Sequence, residues 1–285
     1  MVRLGVYAII AALLANPAAA QPSIIAAENF YGDVAQQLAG ANATVTSILS
    51  NPDQDPHMFE ASPSVARDLS AASIVVYNGA DYDPWMEKLL SAARSPNRKV
   101  IIVANLVHKQ AGDNPHLWYD PPTMPAYAKA LTAALSDRDP AHKAEYEQRL
   151  AMFLASLQPV QAKIAEMHRK FAGTPVTATE PVVGYLAAAI GLTMRNERFQ
   201  LAVMNDTEPR VSDVVTFEND LREHQVRLLF YNSQASGAVA TRLVGIARSA
   251  NIPVVAVTET EPADTKFQDW MTRELDAIAQ ALSAS

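Results

Sequence analysis

Short apolar runs alternate with segments whose apolar positions recur every three or four residues, and this alternation occurs twice along the chain. In the first half, residues 23–27, 45–49, 74–77 and 99–103 read as strands. Between them, residues 30–39 place Phe30, Val34 and Leu38 on one face, which is helical spacing. Ser62-Pro63-Ser64 opens a helix through Val65, Leu69 and Ala72, with the proline tolerated in a first turn. Asp83-Pro84 opens another through Trp85, Leu89 and Leu90. Continuous apolar strands between helices predict parallel sheet covered on both faces.

From 139 to 171 no strand is legible. Tyr146, Leu150, Phe153, Leu154 and Leu157 recur at helical steps, and Val160, Ile164 and Met167 continue them. Pro159 is expected to bend or restart this helix. At 1.5 Å per residue, about 30 residues reach roughly 45 Å, longer than a small domain is wide, which suits a strut between two halves. The alternation then resumes, with strands expected at 176–179, 201–204, 226–231 and 252–257. Helices are expected at 183–190, 213–223, 238–250 and 266–282. The predicted organisation is an N-terminal α/β lobe (21–138), a linking long helix (139–172) and a C-terminal α/β lobe (173–285).

Residues 1–20 stand apart. Arg3, an apolar run from Leu4 to Leu14 and the ending Ala18-Ala19-Ala20 form the pattern of a secretory signal peptide, too short in its apolar part to span lipid. The mature chain is therefore expected to be exported to the periplasm. No cysteine follows the apolar run, so no lipid attachment point is expected.

Composition narrows the chemistry. The chain is 49% hydrophobic and 19% charged, an ordinary globular balance, with a net charge of −7. That acidic balance without a basic run predicts no nucleic-acid partner and no binding to anionic lipid. The absence of cysteine removes disulfides, thiolate metal sites and Cys nucleophiles together. No GxGxxG, phosphate loop, GxSxG or HExxH motif occurs. Any metal must be held by His, carboxylate, carbonyl or water.

Of six histidines, His142, His168 and His224 lie among charges on helix faces and read as surface, and His108 sits beside Lys109, which would repel a cation. His57 and His116 differ. They lie in Asp55-Pro56-His57-Met58-Phe59-Glu60 and Asn114-Pro115-His116-Leu117-Trp118-Tyr119-Asp120. The preceding proline makes a stiff turn that can aim an imidazole. Phe59 and Trp118 can wall such a site from water, and Asp55, Glu60 and Asp120 are candidate acceptors for the far ring N–H. Both histidines follow predicted strands, as do Glu180 and Glu259. Ligands of open parallel sheets sit outside the carboxyl ends of the strands, so two lobes facing each other there would join two imidazoles and two carboxylates. Strand alternation does not choose between Glu259 and Glu261. Asp206 and Glu208 read as a helix start.

With these motifs in view, the chain resembles the metal-specific solute-binding proteins of ABC importers, the cluster that carries zinc or manganese. The resemblance covers essentially the whole mature chain, and its most specific parts are the His57 and His116 turns. That family usually has Asp where Asn114 stands, a change expected to matter little because the histidine is kept. The resemblance implies metal ligands His57, His116, Glu180 and Glu259. It implies an α/β fold of two Rossmann-like lobes, each a parallel sheet flanked by helices, joined by one long backbone helix, with the metal in the cleft between them. It implies a single divalent transition metal, Mn²⁺ or Zn²⁺, as cargo, an ABC importer membrane permease as partner, and no enzymatic activity. The chain is expected to be monomeric and not membrane-inserted. If both carboxylates bind through two oxygens, the set offers up to six donor atoms, which leans towards Mn²⁺. The rival readings are an exported metal-dependent hydrolase and a binder of an organic solute.

Overall fold

The computed structural model describes residues 21–51, 59, 62–205, 207–235 and 237–284. The leader 1–20, His57, Asp55 and Glu60 lie outside the described residues.

The first sheet takes β1 (Ser23–Glu28), β2 (Thr44–Leu49), β3 (Ile74–Tyr77) and β4 (Lys99–Ile102) in the order β2-β1-β3-β4, all parallel. The second takes β5 (Pro175–Ala178), β6 (Thr193–Arg195), β7 (Leu229–Asn232) and β8 (Val254–Val257) in the order β6-β5-β7-β8, also parallel. Each chain path reverses direction across the sheet between its first and third strands. In doubly wound sheets that switch point opens the crevice in which ligands bind.

Helices cover both sheets. In the first half they are α1 (Asn29–Ala39), α2 (Pro63–Ala71), α3 (Pro84–Ala92), α4 (Val103–Leu106) and α5 (Thr123–Arg138). The strut follows as α6 (Lys143–Ser156) and α7 (Gln158–Phe171), separated only by Leu157, with Pro159 in the first turn of α7. There the missing proline N–H leaves no intrahelical bond unmade. His168, Arg169 and Lys170 in the last turn of α7 complement its dipole. α6 packs on α1 and α5, whereas α7 packs on α8 (Gly184–Ile190) and α12 (Phe267–Ala284), so one helical column holds both lobes. The remaining helices are α9 (Glu197–Met204), α10 (Val211–Arg222) and α11 (Ala238–Ser249). Among the described residues, no helix is long and apolar enough to cross a membrane.

Three elements differ from the sequence expectation. Residues 201–204 close helix α9 instead of forming a strand. Their apolar run resembles a buried strand, but Phe199 and Gln200 are buried and Leu201 is exposed, so the run lies on a half-covered helix. The strand is Thr193–Arg195 at the sheet edge, whose mixed polar sequence carries no apolar run. Helix α5 is not legible in the sequence because its buried positions include Thr123, Thr132, Ala128 and Ala134, which blur the apolar stripe.

One buried apolar cluster runs from Ile24 and Val76 in the first sheet through Phe30, Trp118, Leu157 and Val160 to Val176, Val257 and Trp270 in the second lobe. Within it, Glu274 of α12 is nearly buried and accepts the Trp270 indole N–H at 3.2 Å. Burial pushes its carboxyl up to about 7. The folded state therefore holds this proton more tightly than the unfolded chain. That contribution is fully present below the unfolded value, about 4.3, and is lost as pH rises through about 7. Glu274→Gln keeps an acceptor for the indole and removes the titration. The variant is expected to melt higher than the parent at pH 8, by up to about 3 kcal/mol in stability, with the gain vanishing towards pH 5. Thermal melts across that range check it, and a pH-independent difference would refute it.

Candidate metal centre

The carboxyl ends of the two sheets face each other, and four polar side chains meet there. His116 precedes a tight turn (Leu117–Tyr119) in the connection after β4. Glu180 lies just beyond β5, Asn232 is the last residue of β7, and Glu259 lies just beyond β8. One ligand atom from each of His116, Glu180 and Glu259 falls within 4.8 Å of the others, and all three residues are buried. An ion with bonds of about 2.0–2.2 Å holds its donors up to about 4.4 Å apart. The cluster is therefore close to the size one ion demands.

The tautomer of His116 follows from its neighbours. The side-chain amide of Asn114 donates through Nδ2 to the Pro181 carbonyl at 2.8 Å, which turns Oδ1 towards the histidine. That oxygen accepts the His116 backbone N–H at 3.1 Å and lies 2.7 Å from Nδ1. An amide oxygen only accepts, so Nδ1 carries the proton and Nε2 presents its lone pair. Nε2 is buried without a hydrogen-bond partner and stands 3.6 Å from Oε2 of Glu259. A buried, unpartnered imidazole nitrogen beside carboxylates fits a metal. Asn114 thus has a larger part than its sequence reading gave it, because it also ties the first lobe to the second. Gly184 makes this possible, since a Cβ there would lie 2.8 Å from Asn114 Nδ2. Of the three acceptors the sequence offered, Asp120 is not the partner of His116; Asn114 fills that place, and Asp55 and Glu60 lie outside the described residues. Trp118 walls the imidazole at 5.3 Å between ring centroids, and Phe59 packs on Trp85 at 4.5 Å.

The carboxylates are held from both lobes. Asn232 Nδ2 donates to Glu180 Oε2 at 2.8 Å and to Glu259 Oε1 at 2.6 Å. Tyr82, from the first lobe, donates its O–H to Glu259 Oε2 at 3.0 Å. Burial, and next the Glu259 charge, hold the Tyr82 phenol well above its ordinary value, so it stays a donor. Gln234 accepts the Glu259 backbone N–H at 2.5 Å, and Tyr119 donates to the Thr258 carbonyl at 2.9 Å. Tyr82 is positioned by a turn in which Gly79, Ala80 and Asp81 are all left-handed, at φ of 77°, 52° and 64°. Glycine is required at the first, where a Cβ would meet Ile102 at 2.7 Å. The Gly79 and Asn78 N–H groups close this turn onto Asp83.

The structure separates the two acids that alternation left equivalent. Glu259 enters the cluster. Glu261 turns away: its backbone N–H and carbonyl pair with the Asn29 side chain at 3.0 and 2.7 Å, and its buried carboxyl has no hydrogen-bond partner. Burial, then Asp33 and Asp269, push that carboxyl up to about 9, so it is neutral. Among the described residues, no second group of three such side chains is close enough to hold an ion. His108, His142, His168 and His224 lie outside the cluster; His142 instead bonds Asp139 at 2.6 Å. Glu208 is exposed and Asp206 lies outside the described residues. Asn232 and Tyr82 escape the sequence reading. The available signal is a polar residue closing an otherwise buried strand at the sheet edge that binds ligands.

Known proteins match this chain along nearly its full length. The metal ABC transporter substrate-binding lipoprotein ScbA of Streptococcus cristatus is 22% identical over 282 residues, covering 92% of this chain and 89% of its own. The manganese ABC transporter substrate-binding lipoprotein PsaA of Streptococcus anginosus is 23% identical over 284 residues, covering 91% and 89%. Among solved structures, the periplasmic zinc-binding protein TroA of Treponema pallidum superposes with a TM-score of 0.77 at 18% identity, covering 92% of this chain and 99% of its own. A Mn-bound single-site mutant of a periplasmic metal-binding protein from Candidatus Liberibacter asiaticus gives 0.71 at 19% identity, with the same coverage. These likenesses carry the two-lobed α/β fold. Because residues 24–281 also match the family model described as zinc-uptake complex component A, periplasmic, the chain belongs to that family.

Proposed function

We propose that this protein is an extracytoplasmic solute-binding protein that captures one Mn²⁺ or Zn²⁺ ion between its lobes and delivers it to an ABC importer permease. The observation that carries this is the buried cluster of His116, Glu180 and Glu259, with the unpartnered imidazole nitrogen facing two carboxylates. A divalent ion there neutralises both acids, which offsets the desolvation of all three charges. The proposed ligand set is His57, His116, Glu180 and Glu259, with Asn114 fixing the tautomer of His116. Relatives whose names state metal or manganese transport support the cargo, and their place in ABC transporters supports the partner. Enclosure suits carriage, because cargo wants a filled shell where a hydrolase wants an open position for water. The same proposal takes residues 1–20 as a cleavable signal peptide, a periplasmic location, a monomer, and lobes at 21–138 and 173–285 joined by the helical column.

Metal loading tests it. Chelator-treated protein is titrated separately with Mn²⁺ and Zn²⁺, and melting is followed with and without ion. One ion per chain is expected, and at 100 times the dissociation constant the native state gains about 2.7 kcal/mol. A folded protein that binds neither ion, with melting indifferent to both, overturns the proposal.

A further inference from the structure

We infer that Asn78 is a positioning residue of the metal site: its side-chain amide sets the His116 turn against the Tyr82 turn and so fixes where the imidazole stands relative to Glu259. This rests on the metal-carrier reading above. Asn78 follows β3 at the carboxyl end of the first sheet and is fully buried. Its Nδ2 has two hydrogens to give. One goes to the Gly79 carbonyl at 2.8 Å and the other to the Pro115 carbonyl at 2.9 Å. Oδ1 accepts the Tyr31 O–H at 2.7 Å. A flipped amide would aim its oxygen at two carbonyl oxygens with no proton to share, so the orientation is fixed. Tyr31 belongs to α1, and its own carbonyl accepts the Tyr127 O–H of α5 at 2.9 Å. The backbone of Asn78 is held as well, its N–H by Asp83 Oδ2 at 2.6 Å and its carbonyl by the Ala104 N–H at 2.8 Å.

The two carbonyls that the amide reaches are those that close the turns. Gly79 O accepts the Tyr82 N–H at 3.1 Å, and Pro115 O accepts the Leu117 N–H at 2.7 Å. Each turn aims one side chain at the same carboxylate oxygen. Tyr82 donates its O–H to Glu259 Oε2 at 3.0 Å, and His116 presents Nε2 at 3.6 Å from that oxygen. The two rings stand 6.0 Å apart between centroids. One amide therefore couples the hydrogen bond that steers Glu259 to the nitrogen that would share an ion with it. Without the amide, the Tyr31 hydroxyl and both turn carbonyls lose a buried partner, which is costly enough to shift the turns. A ligand set has to hold its geometry to within about 0.5 Å, and Pro115 carries its neighbour His116 with it.

A double-mutant cycle on metal affinity tests this, run with Zn²⁺, or with Mn²⁺ if only that ion binds. Asn78→Ala and Tyr82→Phe are each expected to weaken binding about tenfold, the lower end for groups that support a ligand. The double variant is expected to lose about threefold less than the product of the single losses. The reason is that, without the Tyr82 hydroxyl, the amide acts only through His116. A residue that merely supports the fold gives independent losses. A double loss within about twofold of the product overturns the inference, as does parental affinity in folded Asn78→Ala. If Asn78→Ala does not fold, Asn78→Asp carries the same cycle, because the isosteric side chain still accepts from Tyr31 but cannot donate to both carbonyls. Failure of both to fold makes Asn78 a folding residue and also overturns the inference. If the unmutated protein binds neither ion, it is the carrier reading that falls.

Discussion

His116→Ala is expected to weaken Zn²⁺ binding by a factor on the order of 10²–10³. Structural zinc sites are worth about 10–16 kcal/mol in all. One of the four proposed donors then carries about 2.5–4 kcal/mol, which converts to roughly that factor. The loss should sit at the upper end here, because Glu180 and Glu259 remain buried and an ion lacking one imidazole leaves their repulsion less well compensated. Asn114→Ala provides a graded comparison. The imidazole survives, but the acceptor that holds Nδ1–H is lost, together with the bond to the Pro181 carbonyl. A supporting partner of a ligand typically contributes a factor of about 10–100, so Asn114→Ala should fall between the parent and His116→Ala. His168→Ala, outside the cluster, should leave affinity unchanged. Competition against a chromophoric chelator measures all three. Parental titration by His116→Ala would remove this residue from the ligand set.

What is legible in the sequence follows from how locally each feature is encoded. The strands announce themselves because a strand buried on both faces is a run of Ile, Val and Ala, as in Ile74–Tyr77, where every residue is buried. The His116 turn is legible because its stiffness comes from the adjacent Pro115. The position of Glu180 is legible because it lies two residues beyond the strand Pro175–Ala178. The distinction between Glu259 and Glu261 is not, because it is made by tertiary partners. Gln234 pins the backbone at Glu259 from 25 residues away, and Asn29 pins it at Glu261 from 232 away. Tyr82 reaches Glu259 across 177 residues. No periodicity or spacing carries such information. The same applies to β6 and α9, where position at the sheet edge overrides local apolar character.

Trp270→Ala is expected to destabilise the whole molecule by about 3–5 kcal/mol, the range for removing a buried large aromatic. The ring is 2% exposed and stands between the lobes. Its centroid lies 6.2 Å from Phe30 of α1 and 5.6 Å from Tyr119, and Phe30 in turn lies 4.5 Å from Trp118, the wall of His116. Truncation opens a cavity that neither lobe can close without moving the other, because both contribute its lining. For a chain of this size each kcal/mol shifts Tm by roughly 2–4 °C, so a fall on the order of 10 °C is expected. The melt should stay a single transition, since one apolar cluster links the two sheets. Phe217→Ala is the control: that ring is equally buried but belongs to a separate cluster with Phe199 and Leu243, confined to the second lobe. Both variants should lose stability, but only Trp270→Ala should also lower metal affinity. Tyr119, which donates to the Thr258 carbonyl beside Glu259, leans on the Trp270 ring. Calorimetry and metal titration on the two variants separate the cases. Equal metal affinity in both would show that the aromatic core supports the fold without positioning the site.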